Sequence, residues 1–186
     1  MKRLTDILFA LLLAFLFILP CLIISLLIKA TSRGRVIYWS DRVGRNEMIF
    51  RMPKFRTMKS KTPEKATHLL EDPVSLLTPI GGFLRKTSLD EIPQLISIIK
   101  GDLTFVGPRP DLFNQFDLIT LRKNSGVDIL TPGITGWAQV NGRDELSISQ
   151  KVFFDREYLE KKSLPFDLYI IWLTFLKVIR RQNVSH

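Results

Sequence analysis

Sulfur and imidazole groups are scarce in this sequence of 186 residues. There is one cysteine, Cys21, and there are two histidines. A single cysteine excludes an intrachain disulfide and suits a reducing compartment, and so few thiol and imidazole groups provide no zinc-site spacing. Internal repeats and low-complexity tracts are absent as well. The length allows one compact domain with its own core, but not two ordinary domains.

Acidic residues are fewer than basic ones. The chain has 18 Asp and Glu against 27 Lys and Arg, which gives a formal net charge of +9. Such a charge favours partners rich in phosphate, whether nucleic acid, anionic lipid headgroups or nucleotide sugars. The mean hydropathy is nevertheless positive, at +0.12. A basic chain that is also hydrophobic on average is more typical of a membrane-surface protein, so we expect no nucleic-acid partner.

Charge is missing altogether from residues 7–28, which read ILFALLLAFLFILPCLIISLLI. A helix needs about 20 apolar residues to cross a bilayer core of roughly 30 Å. A cleaved signal peptide is the simplest alternative. However, the run is longer than the apolar region of a signal peptide, and no A-x-A-like cleavage site follows it. The run therefore predicts a retained membrane anchor.

Pro20 lies inside this run, where its missing N–H and the clash of its ring with the Leu16 carbonyl break or kink a helix. Basic residues flank both ends. The positive-inside rule is best satisfied if both ends face the cytoplasm, which predicts a re-entrant hairpin broken at Pro20. A kinked spanning helix is the alternative, because transmembrane helices tolerate proline when neighbouring groups satisfy the freed carbonyl. Either way, we expect an anchor over residues 1–32 and a cytoplasmic domain over residues 33–186.

The remainder predicts a mostly helical α/β domain with a few short strands. Residues 36–39 (VIYW) and 48–52 (MIFRM) are typical of strands, with a turn between them. Apolar residues recur at helical spacing over residues 89–100, and Gly101 is well placed to end that helix. Residues 166–179 (FDLYIIWLTFLKVI) are apolar almost all round but too short to span a membrane. Their tryptophan and the arginines that follow favour an amphipathic helix at the membrane interface over a core helix.

Two adjacent carboxylates, Asp90 and Glu91, stand at the predicted start of the helix over residues 89–100. Ser88 and Glu91 have the S-x-x-E spacing of a capping box, so these acids could simply close the helix end. Pro93 disfavours Ser88 as the N-cap, because the proline would then remove an internal hydrogen bond, whereas a cap at Asp90 avoids that loss. In both registers the helix dipole favours anions by about 0.3–1 kcal/mol, and we expect it to keep Asp90 ionised at neutral pH.

Arginines surround this acidic pair in the sequence. Arg85 precedes it, and Arg109 follows the predicted helix between two prolines, in GDLTFVGPRPD. A proline-flanked arginine has fewer conformations to lose, which suits a bidentate phosphate clamp. A glycine-rich stretch, TPGITGWAQVNGRD, includes Arg143 and can bring backbone close to a ligand. Each motif alone is also typical of an ordinary turn, but two carboxylates with several arginines suit phosphoryl transfer.

These motifs together resemble one family. The run LRKTSLDEIPQLISIIKGDLTFVGPRP, followed by TPGITGWAQVNGR, resembles the polyprenyl-phosphate phosphoglycosyl transferases, in particular their small monotopic members. KFRTM at residues 54–58, the K-x-x-x-D-x-x-Y spacing of Lys151, Asp155 and Tyr158, and SLPFDLYI near the end are also similar to that family. The resemblance covers nearly the whole chain.

The resemblance implies a covalent mechanism on Asp90. This residue would attack the β-phosphorus of a UDP-sugar, expel UMP and carry the sugar phosphate until polyprenyl phosphate accepts it. Mg²⁺ is the implied cofactor, with Asp90 and Glu91 among its ligands. Substrate-binding residues implied in the same way are Lys54, Arg56, Arg85, Thr87, Arg109, Arg143 and Asp155.

Family membership further implies a re-entrant helix broken at a proline, on the cytoplasmic side of a bacterial inner membrane with its anionic lipids. The proline of family members often follows a serine, whereas Leu19 precedes Pro20 here, so a hydrogen bond that stabilises the bend is missing. A rival function is a non-catalytic basic scaffold at the membrane surface. It explains the charge and the hydropathy, but not an acidic pair among arginines.

Overall fold

The computed structural model describes residues 2–59, 62, 72, 74–142 and 145–180, which are mostly helical. The α-helices of this part are α1 (Lys2–Leu16), α2 (Ile18–Thr31), α3 (Gly81–Lys86), α4 (Leu95–Lys100), α5 (Phe116–Asn124), α6 (Trp137–Val140), α7 (Ile148–Lys161) and α8 (Leu164–Arg180). Its strands are β1 (Ile37–Val43), β2 (Ile49–Phe55), β3 (Thr104–Val106), β4 (Asp111–Leu112) and β5 (Gly133–Thr135). Single 3-10 segments lie at Arg45–Glu47, Leu89–Gln94 and Val127–Ile129.

The apolar N-terminal run forms α1 and α2, which meet at Phe17 with a bend of 59°. Pro20 lies in the first turn of α2. The break is therefore one turn before the proline that we expected to mark it, because a proline disrupts the turn on its N-terminal side. In the described part of the chain no single helix is long and apolar enough to cross a membrane, whereas α1 and α2 together meet that criterion by length and composition.

Both ends of this helical pair are held by the rest of the chain. At the start of α1, the ammonium of Lys2 donates to Asp167 of α8 at 2.5 Å. Next to it, Arg3 donates to two carbonyls in the last turn of α4, at 2.5 and 2.8 Å. Beyond the end of α2, the guanidinium of Arg56 donates to the carbonyl and the hydroxyl of Ser32, at 3.0 and 2.6 Å. The two ends of the pair therefore lie against the same body of protein.

Strands β1 and β2 form an antiparallel hairpin, with Ile37 opposite Phe55, and β4 pairs with the other edge of β1. Asn46 and Glu47 both have positive φ, 54° and 61°, which is the conformation of a two-residue type I′ hairpin turn. Both strands were predicted, but each extends further towards its C-terminal end. Asp41 was assigned to the turn and belongs to β1, because the tight turn is made four residues later and leaves more of the chain to pair.

The C-terminal half packs around a second, parallel pair of strands, β3 and β5. Helix α8 crosses this region with one face inwards, where Ile170 is fully buried and Asp167 is 6% exposed. Its opposite face carries exposed apolar side chains, namely Leu168, Tyr169, Trp172, Phe175 and Val178. The helix is therefore amphipathic, as predicted, and is not surrounded by core on all sides.

A buried arginine ties the elements of this half together. Arg122 of α5 is 8% exposed and donates to Asp155 of α7 through Nε and Nη2, at 2.9 and 2.6 Å. Its Nη1 donates to Asp111 of β4 at 2.5 Å and to the carbonyl of Arg109 at 2.8 Å. Burial raises the pKa of both carboxyls, while the guanidinium opposes that shift. One cation thus holds two buried acids and the backbone of the loop that leads into β4.

We expect Arg122→Met to lower the free energy of unfolding by about 3–5 kcal/mol, because it leaves two buried carboxylates without their cation. Chemical unfolding in detergent micelles measures this loss. The deficit should shrink as the pH falls, since protonation neutralises Asp111 and Asp155. Arg156→Met is the matched control, because Arg156 pairs with Glu160 at 3.2 Å on the surface and its loss should change stability by less than about 0.5 kcal/mol. Equal losses in the two variants would contradict the assignment.

Candidate active site

The two adjacent acids lie in a 3-10 segment and not at the start of a long α-helix. Residues Leu89–Gln94 form this segment, and α4 begins only at Leu95. Ser88 has left-handed backbone with a φ of 55°, and its side chain caps nothing. The capping box predicted from S-x-x-E is therefore wrong, and so is the alternative cap at Asp90, because Pro93 is accommodated by the tighter 3-10 turn. The carboxylate of Glu91 points instead to a neighbouring strand.

Asp90 is 8% exposed, and its pKa is raised to about 6. Loss of hydration on burial is the largest cause, and the charge of Glu91 raises the pKa further. The cations of Lys54 and Arg85 act in the opposite direction. We expected a helix dipole to hold this carboxyl ionised, but desolvation outweighs any such effect in so short a 3-10 turn. Asp90 is still mostly ionised at neutral pH, as a carboxylate nucleophile must be.

Lys54 reaches the acidic pair from β2. Its ammonium donates to Oε1 of Glu91 at 2.7 Å, and the two side chains are only 17% and 19% exposed. Burial is the main reason that the pKa of Lys54 is lowered, and the charge of Arg109 lowers it as well. The carboxylates of Glu91 and Asp90 oppose this shift. Lys54 therefore lies within electrostatic reach of both acids and of the proline-flanked arginine.

Arg85 approaches Asp90 from the last turn of α3. Its Nε donates to the hydroxyl of Thr57 at 3.0 Å, which fixes the guanidinium on that side of the site. Burial lowers the pKa of Arg85, and the charge of Asp90 raises it. Thr87, also predicted as a substrate contact, is exposed at the end of α3, and its hydroxyl donates to the carbonyl of Phe83 at 2.9 Å.

Arg109 is held in its loop by a close approach of two backbone segments. A Cβ on Gly133 or Gly136 would overlap the backbone of Gly107, so the strand β5 and the loop before Arg109 can touch only without side chains. The carbonyl of Arg109 is fixed by Arg122, as described above. The glycine-rich stretch was expected to approach a ligand. In the structure its glycines at 133 and 136 approach the loop that carries Arg109.

Two other predicted substrate contacts, Arg56 and Asp155, have hydrogen-bond partners elsewhere in the protein. The guanidinium of Arg56 binds Ser32 and the carbonyl of Arg33, so it holds the exit of α2. Asp155 is 1% exposed and binds Arg122 within the protein, where the resemblance implied a contact with substrate. Arg143 lies outside the described residues. The structure thus brings together Asp90, Glu91, Lys54, Arg85 and Arg109.

Arg42 is a neighbour of this group that the sequence prediction missed. It lies near the end of β1 and, with Tyr38 and Ser40, occupies the face of the hairpin that carries Lys54. The charges of Arg109 and Glu91 both act on its pKa. Alternation along β1 would have revealed this face, but only if the predicted strand had been extended beyond residue 39.

Apolar neighbours of the charged residues pack directly against α2. Phe55, Leu84 and Leu89 adjoin Lys54, Arg85 and Asp90 in the sequence, and they form one cluster with Ile24 and Ile28 of α2. The site and the N-terminal helices therefore share a core. Among the described residues no group of three or more His, Cys, Asp and Glu side chains is placed to hold a metal ion, so Asp90 and Glu91 are a two-carboxylate set.

Comparison with known proteins shows the family of this chain. The chain matches the family described as bacterial sugar transferase over residues 1–181. It is 37% identical over 190 residues to an uncharacterized sugar transferase, EpsL, of Bacillus subtilis, covering 100% of this chain and 90% of that protein. It is 37% identical over 192 residues to the exopolysaccharide production protein ExoY of Rhizobium meliloti, covering 93% and 83%.

A longer relative matches this chain over part of its own length. The UDP-glucose:undecaprenyl-phosphate glucose-1-phosphate transferase of Escherichia coli is 36% identical over 188 residues, which are 95% of this chain and 40% of that protein. The predicted resemblance is thereby confirmed at the level of the family. With nearly the whole sequence matched, this chain belongs to the bacterial sugar transferase family.

Proposed function

We propose that this chain transfers a sugar 1-phosphate from a UDP-sugar to a polyprenyl phosphate and releases UMP. The observation that carries the proposal is the buried carboxylate of Asp90, ionised beside Glu91 and compensated by Lys54 and Arg85. The Escherichia coli relative supports it, because its name combines UDP-glucose, undecaprenyl phosphate and glucose-1-phosphate transfer. Products of this kind begin the synthesis of bacterial polysaccharides and other glycoconjugates.

In the first step, a carboxylate oxygen of Asp90 attacks the β-phosphorus of the donor. The bond from that phosphorus to the bridging oxygen breaks, and UMP leaves with the electron pair. The sugar phosphate is then carried on the carboxylate as an acyl phosphate. Lys54, Arg85 and Arg109 are the cations that lie within reach of the charge that develops on the phosphate oxygens.

In the second step, an oxygen of polyprenyl phosphate attacks the same phosphorus. The bond to Asp90 breaks, so the carboxylate is regenerated and the diphosphate-linked sugar is released. A buried carboxylate with a raised pKa is a better nucleophile than one at its ordinary value, although it is also a poorer leaving group. The cations around it compensate by stabilising the carboxylate again as it leaves.

Mg²⁺ fits the acidic pair as a cofactor. Two neighbouring carboxylates repel each other, since Glu91 raises the pKa of Asp90, and a divalent cation would relieve that repulsion. Mg²⁺ is commonly bound by one or two carboxylates, with substrate phosphates and water completing its shell. When bound, it would neutralise diphosphate charge on the donor. Glu91, already held by Lys54, would keep its carboxylate oriented for this role.

We further propose that α1 and α2 form a re-entrant hairpin in the cytoplasmic membrane of a bacterium. Lys2 and Arg3 at one end, and Ser32 at the other, contact the same body of protein, so both ends lie most simply on one side of a bilayer. Large apolar side chains on both helices are exposed by 45–73%. Outside a membrane, such a surface would be costly.

The polar part of the chain would then face the cytoplasm against the inner leaflet. Lys29, Arg33 and Arg35 follow the apolar run and are exposed, which suits anionic lipid headgroups. The exposed apolar face of α8, with Trp172 and Phe175, suits the interfacial layer of the same leaflet. A lipid-linked acceptor would reach the acidic pair without leaving the membrane surface, since apolar sequence neighbours of the charged residues pack on α2.

We expect Asp90→Asn to reduce turnover by at least about 10³-fold and to abolish a phosphosugar adduct, because the amide is no nucleophile. Glu91→Gln should slow turnover by about 10²-fold with the fold intact. UMP release from a panel of UDP-sugars, with mass spectrometry of the peptide that contains residue 90, measures both effects.

Asp117→Asn, on the exposed side of α5, is the control and should behave as wild type. Substantial activity in Asp90→Asn would refute the nucleophile, and no UMP release from any donor would favour the scaffold.

Without divalent metal, we expect Asp90→Asn to raise the thermal midpoint of unfolding at pH 7.5. The pKa of Asp90 is raised from 3.8 to about 6, so its contribution to stability is fully present below about pH 3.8 and is lost as the pH rises through about 6. The advantage of the variant should therefore vanish near pH 4.

Added Mg²⁺ should raise the thermal midpoint of the wild type more than that of Asp90→Asn. It should raise the midpoint of Asp117→Asn as much as that of the wild type. Equal stabilisation of all three would argue against metal at the acidic pair.

We expect a cysteine placed ahead of Lys2, in a Cys21→Ser background, to be protected from a membrane-impermeant maleimide in spheroplasts and labelled after lysis. A re-entrant hairpin leaves that end in the cytoplasm with the rest of the chain. Asn124→Cys, exposed at the end of α5, is the control for the cytoplasmic side. Labelling of the N-terminal cysteine in spheroplasts, with Asn124→Cys protected, would show a spanning helix instead.

A further inference from the structure

Arg42 carries a positive charge that the described part of the chain does not neutralise. It lies half-buried in β1, where its Nε donates to the hydroxyl of Ser40 at 3.0 Å and its Nη1 to the carbonyl of Pro110 at 3.2 Å. Both acceptors are neutral. Among the described residues no carboxylate lies within ion-pair distance of Arg42, and its Nη2 donates no hydrogen bond.

Arg122 is a buried arginine with a structural role, and it differs from Arg42 in its partners. Its guanidinium is paired with two carboxylates at 2.5 and 2.6 Å, and they hold its pKa above the ordinary value. For Arg42 the outcome is the reverse, since burial and the charge of Arg109 lower its pKa to about 10. Partly buried charges are ordinarily paired. The contrast indicates that no residue in the described ranges is the charged partner of Arg42.

Arg109 likewise has no charged partner among the described residues. It is half-buried, and its side chain makes no hydrogen bond or ion pair among the described residues, although its charge acts on both Arg42 and Lys54. The two carboxylates whose charges raise the pKa of Arg42 have other partners: Glu91 accepts from Lys54 at 2.7 Å and Asp111 from Arg122 at 2.5 Å. Two guanidinium groups thus repel each other at the edge of the site.

A structural role for Arg42, in which it holds β1 to the loop before β4, explains only part of this geometry. The bond to Pro110 does tie β1 to the loop that leads into β4. However, a neutral donor would make that bond without placing a second positive charge beside Arg109. Two adjacent arginines with free donors form a site for an anion that offers several oxygens, as a phosphate does.

Resting on the proposed function, we propose that Arg42, together with Arg109, binds a phosphate group of a substrate through the Nη2 side of its guanidinium. The ligand chemistry is a phosphate oxygen. It is shared by the diphosphate of the nucleotide sugar and by the phosphate of the lipid acceptor, and the two sources are separable because they enter in different steps.

The test compares Arg42→Gln and Arg42→Lys with wild type in the two half-reactions. Formation of the adduct and release of UMP are followed against donor concentration, and full turnover against acceptor concentration. We expect Arg42→Gln to raise the KM for one substrate about 10-fold or more, with a smaller rise in Arg42→Lys, which keeps the charge but loses the planar fork. An effect on the donor half-reaction assigns the donor diphosphate, and an effect confined to the acceptor assigns the lipid phosphate.

Arg51→Gln is the matched control, because Arg51 lies on the opposite face of the same hairpin, over the ring of Trp39 at 5.4 Å. It should leave both KM values unchanged. If Arg42→Gln lowered stability or kcat but left the KM for both substrates unchanged, the role of Arg42 would be structural only and the proposal would be overturned. Arg42→Lys gives the same comparison if Arg42→Gln does not fold.

A binding measurement keeps this inference separate from the proposed function. Inorganic pyrophosphate should raise the thermal midpoint of wild type and of Arg51→Gln, and should raise that of Arg42→Gln and Arg42→Lys less. If wild type made no adduct with any UDP-sugar yet showed this difference, the proposed function would fail and the anion site would stand. Equal shifts in all four proteins would overturn the anion site, whatever the activity.

Discussion

Two adjacent carboxylates can remain in a poorly hydrated place only if cations from elsewhere compensate their charge. The architecture around Asp90 and Glu91 follows from that requirement. Lys54 arrives from a strand, Arg85 from the end of a short helix, and Arg109 from a loop stiffened by prolines. The compensation is incomplete, since the pKa of Asp90 stays raised at about 6. An acid held in this way is charged at neutral pH but poorly solvated, which favours reaction with an electrophile.

The same residues explain why the site and the apolar helices cannot be separated. Lys54, Arg85 and Asp90 each have an apolar neighbour in the chain that packs in the cluster on α2, as Phe55 and Leu84 do. Moving the helical pair would therefore move the cations relative to the acids. A fragment that begins at Gly34 would expose Phe55 and lose the partner of Arg56 at Ser32. The helical pair is thus part of the framework of the site.

Local sequence patterns were informative wherever a local interaction decides the structure. Apolar and aromatic runs indicated the strands β1 and β2, and Gly101, with its φ of 107°, ends α4 as predicted. The 3-10 turn at Leu89–Gln94 was not foreseen, because helical spacing and a capping motif look the same until Pro93 is fitted into a backbone. Motifs near the acidic pair in the sequence already pointed to Arg85 and Arg109, whereas the family resemblance supplied Lys54.

Contacts distant in the sequence could not be read from local patterns. Asp155 and Arg56 sit in motifs shared with the family, and their partners within the protein lie 33 and 24 residues away. That these two residues contact substrate stays a prediction. Arg42 was overlooked. It stands in a segment taken for a turn, and only the pairing of β1 with β2 shows that it lies on the same face as Lys54.

The ion pair between Lys2 and Asp167 has a consequence for biosynthesis. The two residues are 165 positions apart, so the start of α1 finds this partner only after α8 has been synthesised. Until then the exposed apolar side chains of α1 and α2 must avoid aggregation without this contact. Closure of α1 on α8 is therefore expected to be a late step of folding, as for other contacts between residues distant in the sequence.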